Sequence, residues 1–166
     1  MRIVKYLALV VLVAGLSACS SSSKFKKYDG PEVTHVIVHK GDRRMFLLHN
    51  GTVLKSYDIE LGFAPKGHKQ FEGDGKTPEG TYRIDRRNPN SDFHLSIGLS
   101  YPNIRDIAKA QAVGKSPGGD IFIHGQPNKK SGTGPDWTAG CISVENGEME
   151  DIYAMVKDGT LITVRP

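Results

Sequence analysis

Cysteine is scarce in this chain of 166 residues: there are two, Cys19 and Cys141. If the first is consumed elsewhere, the second has no partner, and a disulfide cannot carry the fold. No apolar run is long enough to cross a bilayer. The longest, Tyr6 to Leu16, falls well short of the roughly 20 residues a spanning helix needs. Charge of one sign is not concentrated, the formal total being +4. No basic stripe is interleaved with aromatic residues, so nucleic acid is not an expected partner. Gly75-Lys76-Thr77 invites a phosphate-loop reading, but that motif needs a glycine at position 70, where Gln70 stands. Internal repeats are lacking, and so is room for a second large domain.

What is present fits an ordinary globular protein, with 38% hydrophobic and 24% charged residues. Nineteen glycines and nine prolines, with few long apolar helical stretches, point to a mainly β fold with a few short helices. Residues 1–19 read as an export signal: Arg2 and Lys5 form a basic start, an apolar run follows, and Leu16-Ser17-Ala18-Cys19 closes it. That closing segment resembles the lipobox of bacterial lipoproteins, which implies lipidation of Cys19 and a membrane anchor. Ser20 in the next position favours the periplasmic face of the outer membrane. Residues 20–32 are Ser-rich and basic and read as a flexible tether, and residues 33–166 as the folded domain.

Within the domain, Val33 to His39 is β-branched nearly throughout and reads as a strand, followed by Arg44 to His49. Asn50-Gly51 is a strong hairpin signal, because a type I′ turn needs positive φ at both central residues. Thr52 to Leu61 returns, completing a three-stranded antiparallel meander. His35, His39 and His49 on these strands are expected to be structural. After a long loop, Thr81 to Asp85 is a strand, and Phe93, Leu95 and Ile97 alternate with His94 and Ser96 as another. Asn103 is placed to cap a helix over Ile104 to Val113 that Gly114 ends. Met149, Ile152, Tyr153 and Val156 give a second helix its core stripe, and Thr160 to Val164 forms the last strand.

The chemistry concentrates near the end of the chain. Asp120-Ile121-Phe122-Ile123-His124-Gly125 delivers a histidine from a buried strand into a glycine turn, and Thr138-Ala139-Gly140-Cys141 presents a cysteine at the edge of another. A thiol needs a base to ionise, because the thiolate is the nucleophile. Two adjacent strands whose like ends carry His124 and Cys141 would supply that pair. Backbone N–H groups around Gly140 and Cys141 are the natural donors to a tetrahedral oxyanion. As zinc ligands the pair falls short, since such a site takes three or four and no third is evident. His94 could line the cleft.

Here the sequence resembles the YkuD-type L,D-transpeptidase family, which carries a histidine-glycine pair followed by a Ser/Thr-x-Gly-Cys segment. The likeness extends over Val36 to Leu61, the turn from Gly73 to Gly80, Phe93-His94-Leu95-Ser96, Tyr101-Pro102-Asn103 and Ile121 to Gly125. It implies a β-sandwich catalytic domain acting on peptidoglycan stem peptides in the periplasm, as a monomer, with no metal or organic cofactor. Cys141 would attack the L-centre carbonyl of a tetrapeptide donor and release D-alanine, and an amine acceptor would then take the thioester. In that scheme His124 is the general base, oriented by the Gly125 carbonyl, and Gly140, Thr138, Ser143, Tyr101 and His94 are expected around the oxyanion and substrate. Two positions depart from the family pattern: Ala139 stands where many members have histidine, and Ser143 where many have Arg or Asn. The alternative is the same thiol chemistry ending on water, as an L,D-carboxypeptidase or an amidase releasing lipoprotein from peptidoglycan. A catalytically idle wall-binding lipoprotein is disfavoured by the intact His124/Cys141 pair.

Overall fold

The computed structural model describes residues 23–129 and 134–166. The expected export signal and Cys19 lie outside the described residues. Among the described residues eight strands and two helices follow in order: β1 His35–His39, β2 Arg44–His49, β3 Thr52–Asp58, β4 Gly80–Asn88, β5 Ser96–Leu99, α1 Ile104–Ala112, β6 Phe122–His124, β7 Ile142–Ser143, α2 Asn146–Met155 and β8 Leu161–Arg165. The strands form one sheet in the order β3-β2-β1-β8-β4-β5-β6-β7. β1 runs parallel to β8 and β6 parallel to β7, and the other neighbours are antiparallel.

The meander forms for the reason its sequence suggests. Asn50 and Gly51 take φ of 47° and 87°, the left-handed pair a type I′ turn demands. Strand alternation sends Val36 and Val38, Met45 and Leu47, and Ile162 and Val164 to one buried face. Ile84, Ile97, Leu99, Ile123 and Ile142 continue the core, and Met149 and Ile152 of α2 are buried with them. α1 is closed by a capping box: Asn103 Oδ1 accepts from the N–H groups of Arg105 and Asp106, and Asp106 Oδ2 accepts from Asn103 N at 2.9 Å.

The sandwich is a single sheet curled until its two ends meet. The chain expected to run as one strand to Leu61 leaves β2 after Asp58 and crosses to the far end. There Glu60 bridges Ser143 and Gly62 bridges Thr138. Glu60 N donates to Ser143 O at 2.9 Å, Ser143 N returns a bond to Glu60 O at 2.8 Å, and Phe63 N reaches Thr138 O at 2.9 Å. β7 is therefore held on both sides.

Two expectations change. Phe93 to Leu95 is a turn, not the first half of a strand, and β5 begins only at Ser96. The alternation that suggested a strand is produced by His94 at φ 69°, a left-handed conformation that reverses the chain between half-buried Phe93 and buried Leu95. Within residues 20–32, read as a tether, the side chains of Lys24 and Lys26 reach the domain. Lys24 Nζ donates to Pro89 O at 2.7 Å and His94 O at 3.1 Å, and Lys26 Nζ to Asp151 Oδ1 at 2.7 Å.

The loop from Phe63 to Glu79 encloses two buried lysines, Lys69 of its own and Lys40 from outside it. Lys40 Nζ reaches into it from beyond β1, donating to Gly67 O, Thr77 O and Glu79 Oε1 at 2.6, 3.0 and 2.9 Å. Burial pulls its pKa below the ordinary lysine value despite Glu79. Lys69 pairs with Asp74 at 2.9 Å, both side chains almost wholly buried.

Candidate active site

His124 and Cys141 line one cleft, with a volume near 260 Å³, together with Asn88, Ser91, Asp92, Phe93, Ser96, Asp120 and Phe122. Their strands are parallel neighbours, Ile123 opposite Ile142 and His124 opposite Ser143. The two functional groups do not sit at like ends. Cys141 precedes β7, so it lies beside Phe122, one repeat of the pleat before His124. Because alternate residues share a face, Ile123 and Ile142 point into the core while Phe122 and His124 share the other face with Cys141 and Ser143.

The imidazole is tightly specified. His124 is 3% exposed, and its Nδ1–H donates to Gly125 O at 2.7 Å. A carbonyl can only accept, so the neutral ring carries its proton on Nδ1 and its lone pair on Nε2. Phe93 lies over the ring at a centroid distance of 4.5 Å, and Trp137 meets it edge-on at 5.5 Å. Burial lowers the imidazole pKa, with the Gly125 carbonyl acting in the opposite direction.

The thiol is half-buried. Cys141 Sγ accepts from Phe122 N at 3.4 Å and faces Asp120 O at 3.5 Å. Burial pushes its pKa up, and the Phe122 N–H opposes that. Both members of the pair are thus driven toward their neutral forms.

Thr138 builds the turn that presents the thiol. Its hydroxyl donates to Cys141 O at 2.8 Å and accepts from Gly140 N at 3.1 Å. Gly140 has φ 137°, and a Cβ there would lie 2.7 Å from Lys76 O. Only glycine fits such a close approach of two backbones. The Gly140 N–H is spent on Thr138, whereas the Cys141 N–H has no hydrogen-bond partner among the described residues.

The other candidates from the sequence lie further out. Ser143 is fully buried, and its Oγ accepts from Gln126 Nε2 at 3.2 Å. Tyr101 is in the core with its hydroxyl on Pro117 O at 2.9 Å. His94 turns its ring to α2, Nε2 lying 2.9 Å from Glu150 Oε1. Neither Tyr101 nor His94 lines the cleft. Sequence reasoning passed over Phe93 and Trp137 as site residues, although Trp137 stands one residue before Thr138. It also passed over Gln126 and Asn146, which follow His124 and Ser143 closely in the chain.

Comparison with known proteins identifies the family and the fold. The family model of the YkuD L,D-transpeptidase catalytic domain matches residues 33–164. YafK of Escherichia coli (strain K12) is 27% identical over 94% of this chain and 62% of its own length. Among solved structures, the helical cell shape determining protein Pgp2 of Campylobacter jejuni, as its K307A mutant, is 31% identical with a TM-score of 0.64, over 83% of this chain and 48% of that one. Bd1075 of Bdellovibrio bacteriovorus, at 24% identity and TM-score 0.58 over 85% of this chain and 50% of its own, shares the fold. The chain thus spans about half to two thirds of the length of these relatives.

Proposed function

The chain belongs to the YkuD L,D-transpeptidase catalytic domain family, and on that premise we propose that it performs cysteine acyl transfer on peptidoglycan stem peptides. The observation that carries the reading is the single cleft lined both by Cys141 and by a histidine whose lone pair is left on Nε2.

In the proposed scheme both groups start neutral. As Sγ attacks the L-centre carbonyl of a tetrapeptide donor, its proton passes to Nε2 of His124, and the imidazolium is steadied through Nδ1–H on Gly125 O. The carbonyl oxygen takes the negative charge, and the Cys141 N–H is its candidate donor. Collapse expels D-alanine, whose amine takes the proton back from Nε2, leaving a thioester on Cys141. An acceptor amine then attacks, His124 removes its proton, and the new amide leaves as the thiol is restored. The steps call on no metal or organic cofactor. A periplasmic place, a lipid on Cys19 and a role in cell shape, the property for which Pgp2 is named, belong to the same proposal.

The test is incubation of the protein with purified tetrapeptide muropeptides, followed by mass spectrometry. Dimers joined directly between diamino acids, absent with Cys141→Ala, are the expected result. Tripeptide and free D-alanine without dimers would move the assignment to an L,D-carboxypeptidase. Release of protein from lipoprotein-bearing sacculi would move it to an amidase, and silence in every assay would refute catalysis.

A further inference from the structure

The base is held by a peptide group, and that peptide group must itself be held. Gly125 C=O and Gln126 N–H belong to one planar unit and point in opposite directions. On one edge the carbonyl accepts from His124 Nδ1 at 2.7 Å. On the other edge the N–H donates to Asn146 Oδ1 at 2.7 Å. Gln126 adds a second hold through its side chain, whose Nε2 donates to Val144 O at 2.9 Å and Ser143 Oγ at 3.2 Å. The preceding peptide is fixed too, with Gly125 N shared between Phe93 O at 3.0 Å and Leu95 O at 3.2 Å.

The clamp is needed because residue 125 is glycine. Glycine leaves its ψ free to rotate, and rotation of this one torsion would swing the carbonyl away from the imidazole. No side chain can take over the restraint, since a Cβ on Gly125 would lie 2.6 Å from Asn146 Oδ1 and 3.0 Å from Phe93 O. The position of Asn146, at the first residue of α2, ties the plane to a rigid element whose Met149 and Ile152 are in the core.

We infer that Asn146 and Gln126 are positioning residues for the base: by pinning the 125–126 peptide plane they fix His124 as the Nδ1–H tautomer, with Nε2 unprotonated toward the cleft. The inference rests on the acyl-transfer reading for its kinetic consequence only, because the tautomer is a property of the resting protein. With the plane released, the Nε2–H tautomer becomes accessible, and that form cannot take a proton from the thiol. The effect falls on the chemical step and not on substrate binding, since neither residue lines the cleft.

The experiment records two-bond proton–nitrogen correlations of the imidazoles in the 15N-labelled protein, in the neutral range. The His124 signals are assigned among the six histidines by their loss in His124→Gln. Kinetics on tetrapeptide muropeptides run in parallel. In the wild type His124 is expected as the Nδ1–H form. In the double variant Asn146→Leu, Gln126→Leu the Nε2–H form gains population, and kcat falls about tenfold or more, the scale for losing partners that orient a ligating or catalytic histidine, while KM changes less than about twofold. Asn146→Asp keeps the acceptor oxygen and is expected to keep the wild-type tautomer. If the double variant does not melt cooperatively, Asn146→Leu alone carries the test, its side chain being at the surface. A wild-type Nε2–H form, or a variant with unchanged tautomer and kcat, overturns the inference. A wild type inactive on muropeptides refutes the proposed function instead, and the tautomer still decides the clamp.

Discussion

Replacing Thr138 with Val tests how the cysteine is presented. The swap keeps the shape of the side chain and deletes one hydroxyl, which is 3% exposed as part of its residue and serves two partners, Cys141 O and Gly140 N. Two hydrogen bonds are lost at about 1 kcal/mol net each, and the buried Gly140 N–H is left unsatisfied at a further cost of about 1–3 kcal/mol. Cys141 is half-buried, so its carbonyl regains water and incurs little of that penalty. The expected destabilisation is about 3–5 kcal/mol, which for a domain of this size lowers Tm by about 10 °C or more. Thermal and urea melts followed by far-ultraviolet circular dichroism measure it, and Thr138→Ser, which keeps the hydroxyl, should lose about 1 kcal/mol or less. A Thr138→Val protein within about 0.5 kcal/mol of wild type would refute the role of the hydroxyl as the clamp of this turn.

Three further outcomes follow from the same geometry. Gly140→Ala must relieve a Cβ 2.7 Å from Lys76 O at φ 137°, so the turn shifts, and reaction of Cys141 with iodoacetamide and turnover should both fall at least tenfold even where the protein still melts cooperatively. Burial raises the thiol pKa and lowers the imidazole pKa. Loss of kcat/KM on acidification should therefore fall below the ordinary histidine value of about 6.5, and alkylation of Cys141 should still be rising above about pH 8.5. An acid limb above pH 7 would contradict this assignment of charge. Asp74 is penalised by burial, yet N–H donors from Gln70, Lys76 and Phe71 and the Lys69 ammonium hold its carboxyl below the usual range. Its contribution to stability is present above the unfolded value of about 3.9 and is lost as pH falls through the lower folded value. Asp74→Asn should accordingly be less stable than wild type near neutrality, with the gap in urea midpoint closing below about pH 3.9.

Local signals in the sequence were legible where a single residue decides a backbone conformation or a cap. Asn50-Gly51 names its turn, Asn103 names its helix start, and the β-branched run before His39 names its strand. The His124 and Cys141 segments could be read as a strand end and a glycine-supported turn, because Gly125 and Gly140 flag close approach. Contacts made between distant segments were not legible. Nothing in the sequence around Glu60 announces that it will leave one strand and pair with Ser143, since that depends on the curl of the whole sheet. Phe93 looked like a strand residue because left-handed His94 imitates strand alternation. Nothing in the sequence marks Lys40 and Lys69 as buried, and only the fold reveals the carbonyls and carboxylates that accept them. Ser143 was read for what it lacks relative to the family pattern, and the space beside it turns out to be taken by Gln126.

The place of β8 bears on how the chain acquires its structure. It is the last described element in sequence, yet it occupies an interior position in the sheet, between β1 and β4. A ribosome releases the meander first and then the strands that carry the cysteine and histidine, while the strand that joins these two halves comes after all of them. Until residues 161–165 emerge, β1 and β4 each have one open edge, and Val36, Val38 and Tyr82 lack the strand that completes their burial. Pairings between such remote segments are entropically expensive to close, so folding is expected in the slow, millisecond-to-second regime. A nascent chain stopped just before Leu161 would hold every residue of the cleft and still lack the strand around which that cleft can be assembled.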